Sequence, residues 1–215
     1  MDAIETKAKS RQDLVVDGRT ARRNRNKAAV IAAMIDLARE GHDEPAIEMI
    51  ADRAGVSYRS VYRYFEDRTD LMLSAIGALM RDVWPMLKTA TLASGSLKER
   101  IASLVEARIA MYHKLAPLTR VAVQRRVHEP AVAEQYERVR EQFRQRLTAQ
   151  FEPELSAMTK KDRNLVVSAL DVVFQFEALD FLSAHDGMND GQMAALLTRH
   201  VSVHLAPAVA RTPSK

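Results

Sequence analysis

Ile47-Glu48-Met49-Ile50-Ala51-Asp52-Arg53-Ala54-Gly55-Val56-Ser57-Tyr58-Arg59-Ser60-Val61-Tyr62-Arg63-Tyr64-Phe65-Glu66-Asp67-Arg68 reads as a helix, a sharp turn and a second helix. Ile47, Ile50, Ala51 and Ala54 recur at helical spacing, and Gly55 stops the pattern. Ser57 is then placed to cap a helix that turns Val61 and Phe65 inward. Tyr58, Arg59, Ser60, Tyr62, Arg63 and Tyr64 are left on its polar side. An α-helix fits the major groove of DNA, where Arg, Ser and Tyr can bond base edges or phosphates. This stretch is the expected working end of the chain.

Upstream, Val30, Ile31, Met34, Leu37 and Ala38 fall on one helical stripe within Thr20 to Glu40, closed by Gly41. Residues 1–18 show no convincing period and read as a flexible tail. Arg19, Arg22, Arg23, Arg25 and Lys27 form an acid-free run at the head of the first helix. Positive charge there opposes the helix dipole and is better tolerated beside phosphate; a solvated helix start is the plainer explanation. Pro45 suits the first turn of a second helix, and Asp67 can cap a fourth from Arg68. Val30, Met34, Leu37, Ile47, Ile50, Ala51, Val61 and Phe65 form the expected core, closed by Leu71 and Ile76. Residues 19–68 are thus the expected helix-turn-helix DNA-binding domain.

This region resembles the TetR family of bacterial transcriptional regulators over about Thr20 to Ile76. The resemblance rests on Ile50-Ala51, Ala54-Gly55-Val56-Ser57, Val61-Tyr62-Arg63-Tyr64-Phe65, and a basic residue followed by leucine at Arg68 and Leu71. It implies that Tyr58, Arg59, Ser60 and Arg63 reach into the groove, while Tyr62, Tyr64 and Arg68 suit flanking phosphates; Tyr64 can equally pack against the first helix. Arg22 and Arg23 join the expected DNA contacts from the basic run. Three positions depart from the family pattern. Ala46 stands where a capping threonine is common, which passes the cap to Asp43 or Glu44. Arg68-Thr69 replaces a common Lys-Glu. Arg59 replaces a small residue, and its long cationic side chain can reach a base or phosphate that glycine cannot.

The remaining residues, 69–210, read as a larger helical domain. The fourth helix runs through Leu79, Met80, Val83 and Trp84 to Pro85, where the ring disfavours continuation. Ser96-Leu97-Lys98-Glu99 is a capping-box pattern opening a helix that buries Ile101, Leu104, Val105, Ile109 and Tyr112. Pro117 separates it from a short helix to about Val127, and Pro130 opens the next. That helix carries Val132, Tyr136, Val139, Phe143 and Leu147 on one stripe, with Glu134 and Arg138 able to pair on the wet face. Thr159 caps a helix reaching about His185 that is apolar around much of its circumference, from Leu165 to Leu182. A last helix, Gly191 to Ala206, carries Met193, Leu196, Leu197, Val201 and Leu205. The fold class is all-α. The family resemblance implies a homodimer through the last two helices, and a pair of recognition helices can read a near-palindromic operator.

The resemblance also implies a small-molecule effector pocket in the larger domain. Met80, Trp84, Met111, Tyr112, Phe143 and Phe174 are its candidate lining, with Gln175 and Glu177 as polar contacts. Each aromatic or Met can instead be ordinary core. Glu177 and Asp180 hint at a cationic ligand or at a subunit salt bridge. His200 and His204 have metal-sharing spacing but no third ligand, so no metal and no cofactor is expected. No His-Glu-x-x-His, Gly-x-Ser-x-Gly or glycine-rich phosphate loop occurs, which gives no enzyme signature.

Composition constrains less. The chain has 215 residues, no cysteine and a formal charge of +4 spread over 32 basic and 28 acidic residues. Bulk charge therefore favours an anionic partner only weakly, and arrangement carries the argument. Without a signal peptide or an apolar run of membrane-spanning length, a cytoplasmic location is expected. The expected function is a ligand-responsive, DNA-binding transcriptional regulator, a repressor. The rival is an all-helical small-molecule-binding protein or enzyme that keeps a degenerate helix-turn-helix.

Overall fold

A computed structural model describes residues 11–89 and 93–209, and among them no strand occurs. The helices are α1 (Arg11–Arg39), α2 (Ile47–Ala54), α3 (Tyr58–Tyr64), α4 (Arg68–Thr89), α5 (Leu97–Arg125), α6 (Pro130–Gln150), α7 (Glu152–Leu155), α8 (Lys160–Val173), α9 (Phe176–Asp180) and α10 (Asp190–Val209). A π-helical turn, Phe181–His185, follows α9. The chain divides into two units between Ala75 and Ile76, and α4 contributes residues to both.

In the first unit, α1 ends in a turn at Gly41, φ 92°, with His42 N–H reaching the Leu37 carbonyl at 3.0 Å. Gly55, φ 65°, ends α2 the same way, with Val56 N–H on the Ala51 carbonyl at 3.0 Å. A side chain at these left-handed positions would be strained, so glycine makes the tight reversals possible. Ser57 caps α3, its Oγ accepting from Ser60 N–H at 3.2 Å. Asp67 caps the start of α4, accepting from Asp70 N–H at 2.8 Å. Val30, Met34, Leu37, Ile47, Ile50, Ala51, Val61, Phe65 and Leu71 are all buried.

Several expectations are corrected. Residues 1–10 of the expected tail lie outside the described residues, but 11–18 are helical, so α1 starts well before Thr20. An apolar stripe marks where a helix packs, and α1 continues N-terminally beyond its stripe. The basic run consequently lies within α1, and the dipole argument for its placement falls. The N-cap of α2 is Ala46, without any side-chain cap, rather than Asp43 or Glu44. Ile76, expected to close the first core, falls in the second unit.

In the second unit the Ser96–Glu99 capping box forms in full, and its two hydrogen bonds from Ser96 hold the Glu99 carboxyl below its usual pKa. Pro85 and Pro117 do not end their helices: α4 and α5 run through them. Each ring removes one backbone hydrogen bond, and burial of neighbours such as Val83, Ala116 and Leu118 offsets the loss. Thr159 caps α8 as expected, yet the long helix to His185 is broken at Phe174 and Gln175, where Gln175 is extended at φ −70°, ψ 154°. Met193, Leu197, Val201 and Leu205 of α10 are fully buried, in one cluster with Leu104, Phe151, Leu170 and Phe174. Arg100 is buried too: it donates to the Gln150 carbonyl at 2.8 Å and forms a two-pronged pair with Glu154.

Candidate nucleic-acid interface and internal cavity

The polar side of α3 is built by its two caps and by the inward pull of Val61 and Phe65. Tyr58 and Tyr62, one turn apart, remain 45% and 46% exposed. Their rings meet edge to face at 5.0 Å, and their hydroxyls lie 3.4 Å apart. That contact raises the Tyr58 pKa, first through the hydrogen bond to Tyr62. Arg59 is exposed and makes no hydrogen bond or ion pair among the described residues. Ser60 is half-exposed, its Oγ 2.9 Å from that of Ser57. Arg63 is exposed but held, donating to the Tyr64 hydroxyl at 3.1 Å and to Ser60 Oγ at 3.5 Å, with its guanidinium over the Tyr64 ring.

Two residues expected at phosphates have partners within the protein. Tyr64 is only 6% exposed, and Asn26 of α1 donates to its hydroxyl at 3.2 Å. Hydrogen bonds from Asn26 and then Arg63 hold the phenol below its ordinary pKa. Arg68 donates to the Pro45 carbonyl at 2.9 Å and stands 3.7 Å from Glu44, which ties the start of α4 to the entry of α2. Arg22 and Arg23 are exposed on α1. They precede Asn26 by four and three residues, one helical turn, so the Asn26–Tyr64 bond brings their part of α1 to the end of α3.

The second unit holds a cavity of about 100 Å³, partly open to solvent, between α4, α5, α6, α8 and α9. Met80, Met111, Tyr112, Phe143, Phe174 and Gln175 line it. Trp84 does not; its ring stands 6.4 Å from Phe143 in a satellite apolar cluster. Glu177 does not either, since it takes Arg126 at 3.0 Å. Asp180 is held by Arg120 at 2.7 Å and by the Tyr112 hydroxyl at 2.9 Å. Both carboxylates that hinted at a cationic ligand are therefore already neutralised. His200 lies beside His204, ring centroids 4.6 Å apart, and its Nε2 is 3.1 Å from the Ala169 carbonyl. Burial, and next the neighbouring His200, lower the His204 pKa.

Sequence reasoning missed Arg108, Arg140 and Asp171 on the cavity wall. For Arg108 a signal existed: it continues the stripe of Leu104 and Met111 along α5, a cation among apolar positions. Its guanidinium lies over Phe143 at 4.3 Å and Phe174 at 5.6 Å, and it donates to the Phe174 carbonyl. That bond occupies the carbonyl at the break between α8 and α9. Burial pulls the Arg108 pKa down to about 10, against the favourable field of Asp171.

Comparison with known proteins agrees with this architecture. Residues 30–75 match the model of bacterial regulatory proteins of the tetR family. The chain is 28% identical over 88 residues to the HTH-type transcriptional repressor KstR of Mycolicibacterium smegmatis, covering 41% of this chain and 43% of that protein. It is 35% identical over 60 residues to KstR of Mycobacterium tuberculosis, covering 28% of this chain and 27% of that one. The match thus spans less than half the length of either curated relative. A transcriptional regulator from Rhodococcus sp. Rha1 shares the fold with a TM-score of 0.70 at 17% identity, over 84% of this chain and 96% of that one. No described helix is long and apolar enough to cross a membrane. By its helix-turn-helix, within residues 30–75, the chain is similar to the bacterial regulatory proteins of the tetR family, and its helical fold is the one found in a regulator of known structure.

Proposed function

We propose that this protein is a cytoplasmic transcriptional repressor that binds a near-palindromic DNA operator as a homodimer and is released by a small molecule held in the cavity of its second unit. It acts by binding, with no catalytic step. The observation that carries this reading is the solvent-facing side of α3, where Arg59 has no partner among the described residues and Tyr58 and Tyr62 stand exposed. Such a surface costs stability little and is free to contact base edges and phosphates. Arg59 reads a base, Tyr58, Ser60 and Tyr62 contact the groove and its phosphates, and Arg63 does so from its seat on Tyr64. Arg22 and Arg23 add phosphate contacts from α1. Tyr64 and Arg68 act mainly by positioning, although both hydrogen bonds into the Tyr64 oxygen leave its own proton for a phosphate. The two relatives are named as repressors, which supports the sign of the effect.

Titration of the intact protein against the intergenic DNA beside its own gene, over a salt series, tests the reading. The expected result is binding that exceeds binding to scrambled duplex by about 10³-fold or more and weakens steeply with salt. Equal affinity for both duplexes overturns it.

A further inference from the structure

We infer that the ligand of this cavity is an apolar monocarboxylate whose carboxylate is received by Arg108. The inference rests on the effector-cavity reading and adds the chemical class.

Arg108 lines the cavity and keeps part of its surface free there, although it lies deep in the second unit. Its guanidinium is sandwiched towards the faces of Phe143 and Phe174, so its N–H groups, rather than its π surface, remain for a ligand. A guanidinium carries five N–H donors, and the Phe174 carbonyl is the acceptor that the described residues supply. No described carboxylate lies within ion-pair distance of it. Asp171, whose field reaches Arg108, is bound by Arg144 at 3.0 Å and by Gln175 at 3.2 Å. Arg140 adds a second guanidinium to the wall, already paired with Glu137 at 3.0 Å, and only its Nε is buried without an acceptor among the described residues.

The cavity therefore combines an apolar wall, including Leu79, Met80 and Leu115, with one guanidinium, that of Arg108, which no described carboxylate pairs. A buried charge without a counter-charge is costly. A carboxylate accepts two N–H groups of one guanidinium side by side and supplies the missing charge. An alcohol offers one weaker acceptor and no charge, and an ammonium repels. With a cavity of about 100 Å³, the apolar part of the ligand is small.

Calorimetric titration of the full chain with straight-chain carboxylates from butanoate to decanoate, beside alcohols and amines of the same lengths, tests this. At least one carboxylate is expected to bind tenfold or more tightly than its matching alcohol, with the amines weakest. Arg108→Gln is expected to erase that preference, bringing the carboxylate down to the affinity of its matching alcohol because the charged contact is removed; Arg108→Lys retains part of it. Should the glutamine variant fail to fold, the wild-type series decides alone. An alcohol or amine binding as tightly as its carboxylate overturns the inference and leaves the cavity reading standing. No binding in any series overturns both, while the DNA titration still reads the recognition surface independently.

Discussion

Arg59 and Arg63 sit one turn apart on α3 and have different environments. Arg63 is laid over Tyr64 and bonded to its hydroxyl, whereas Arg59 projects without a partner among the described residues. An unrestrained guanidinium is free to form a bidentate contact with a guanine edge, worth about 1–3 kcal/mol of discrimination. Arg59→Ala is therefore expected to weaken operator binding by about 10- to 100-fold and to leave nonspecific binding nearly unchanged. Anisotropy titrations on specific and scrambled duplexes check this, and equal losses on both would move Arg59 to a phosphate. Arg59 was legible in the sequence because exposure on a helix follows from spacing. The burial of Tyr64 and the recruitment of Arg68 were not, since their partners Asn26 and Pro45 lie 38 and 23 residues away. Nor was Arg108, whose role needs the ring of Phe143 and the carbonyl of Phe174 to be brought together.

Helices were legible wherever their ends are set locally. The caps at Ser57, Asp67, Ser96 and Thr159 and the reversals at Gly41 and Gly55 all stand where residue type and spacing put them. Pro130 opens α6 as expected, whereas Pro85 and Pro117 misled, because a buried helix tolerates one missing backbone bond; the break at Phe174–Gln175 had no local signal because Arg108 occupies the carbonyl there. Arg100 and Glu154 join α5 to α7 with side chains only 5% and 10% exposed. Glu154→Ala would leave a buried cation uncompensated and is expected to cost about 3–5 kcal/mol, read by urea denaturation; a loss under about 1 kcal/mol would mean that water reaches Arg100. On α10, the folded state holds His204 below its ordinary pKa, so the unfolded chain takes up the proton more readily. Its contribution to stability is present above about pH 6.5 and is lost as pH falls. The melting temperature should drop from pH 7 to pH 5, and His204→Leu should make that drop shallower; an unchanged slope would remove His204 from the account.

Taken whole, the chain carries apolar surface that its own core does not use. The broad stripe of residues 165–182 divides: Val167, Leu170, Phe174 and Leu179 are buried, while Leu165 and Val172 are each 63% exposed, with Phe181 at 53%. Val203 of α10 is 62% exposed. The sequence reads this stretch as too apolar for one buried side, and we propose that a second chain covers the residues left exposed. Leu165→Glu is expected to leave the fold intact, because the side chain is exposed, and to shift the protein from dimer to monomer in sedimentation; an unchanged dimer would place the interface elsewhere. We propose that two copies of α3 read one operator together. Two half-sites about 34–36 Å apart face the same side of the duplex. The most direct measurement is therefore an equilibrium titration of the intact protein on its operator and on the same operator with about half a helical turn inserted between the half-sites. The account predicts a fall in affinity of at least about tenfold, since only one recognition helix can then dock; equal affinity for the two duplexes would contradict it.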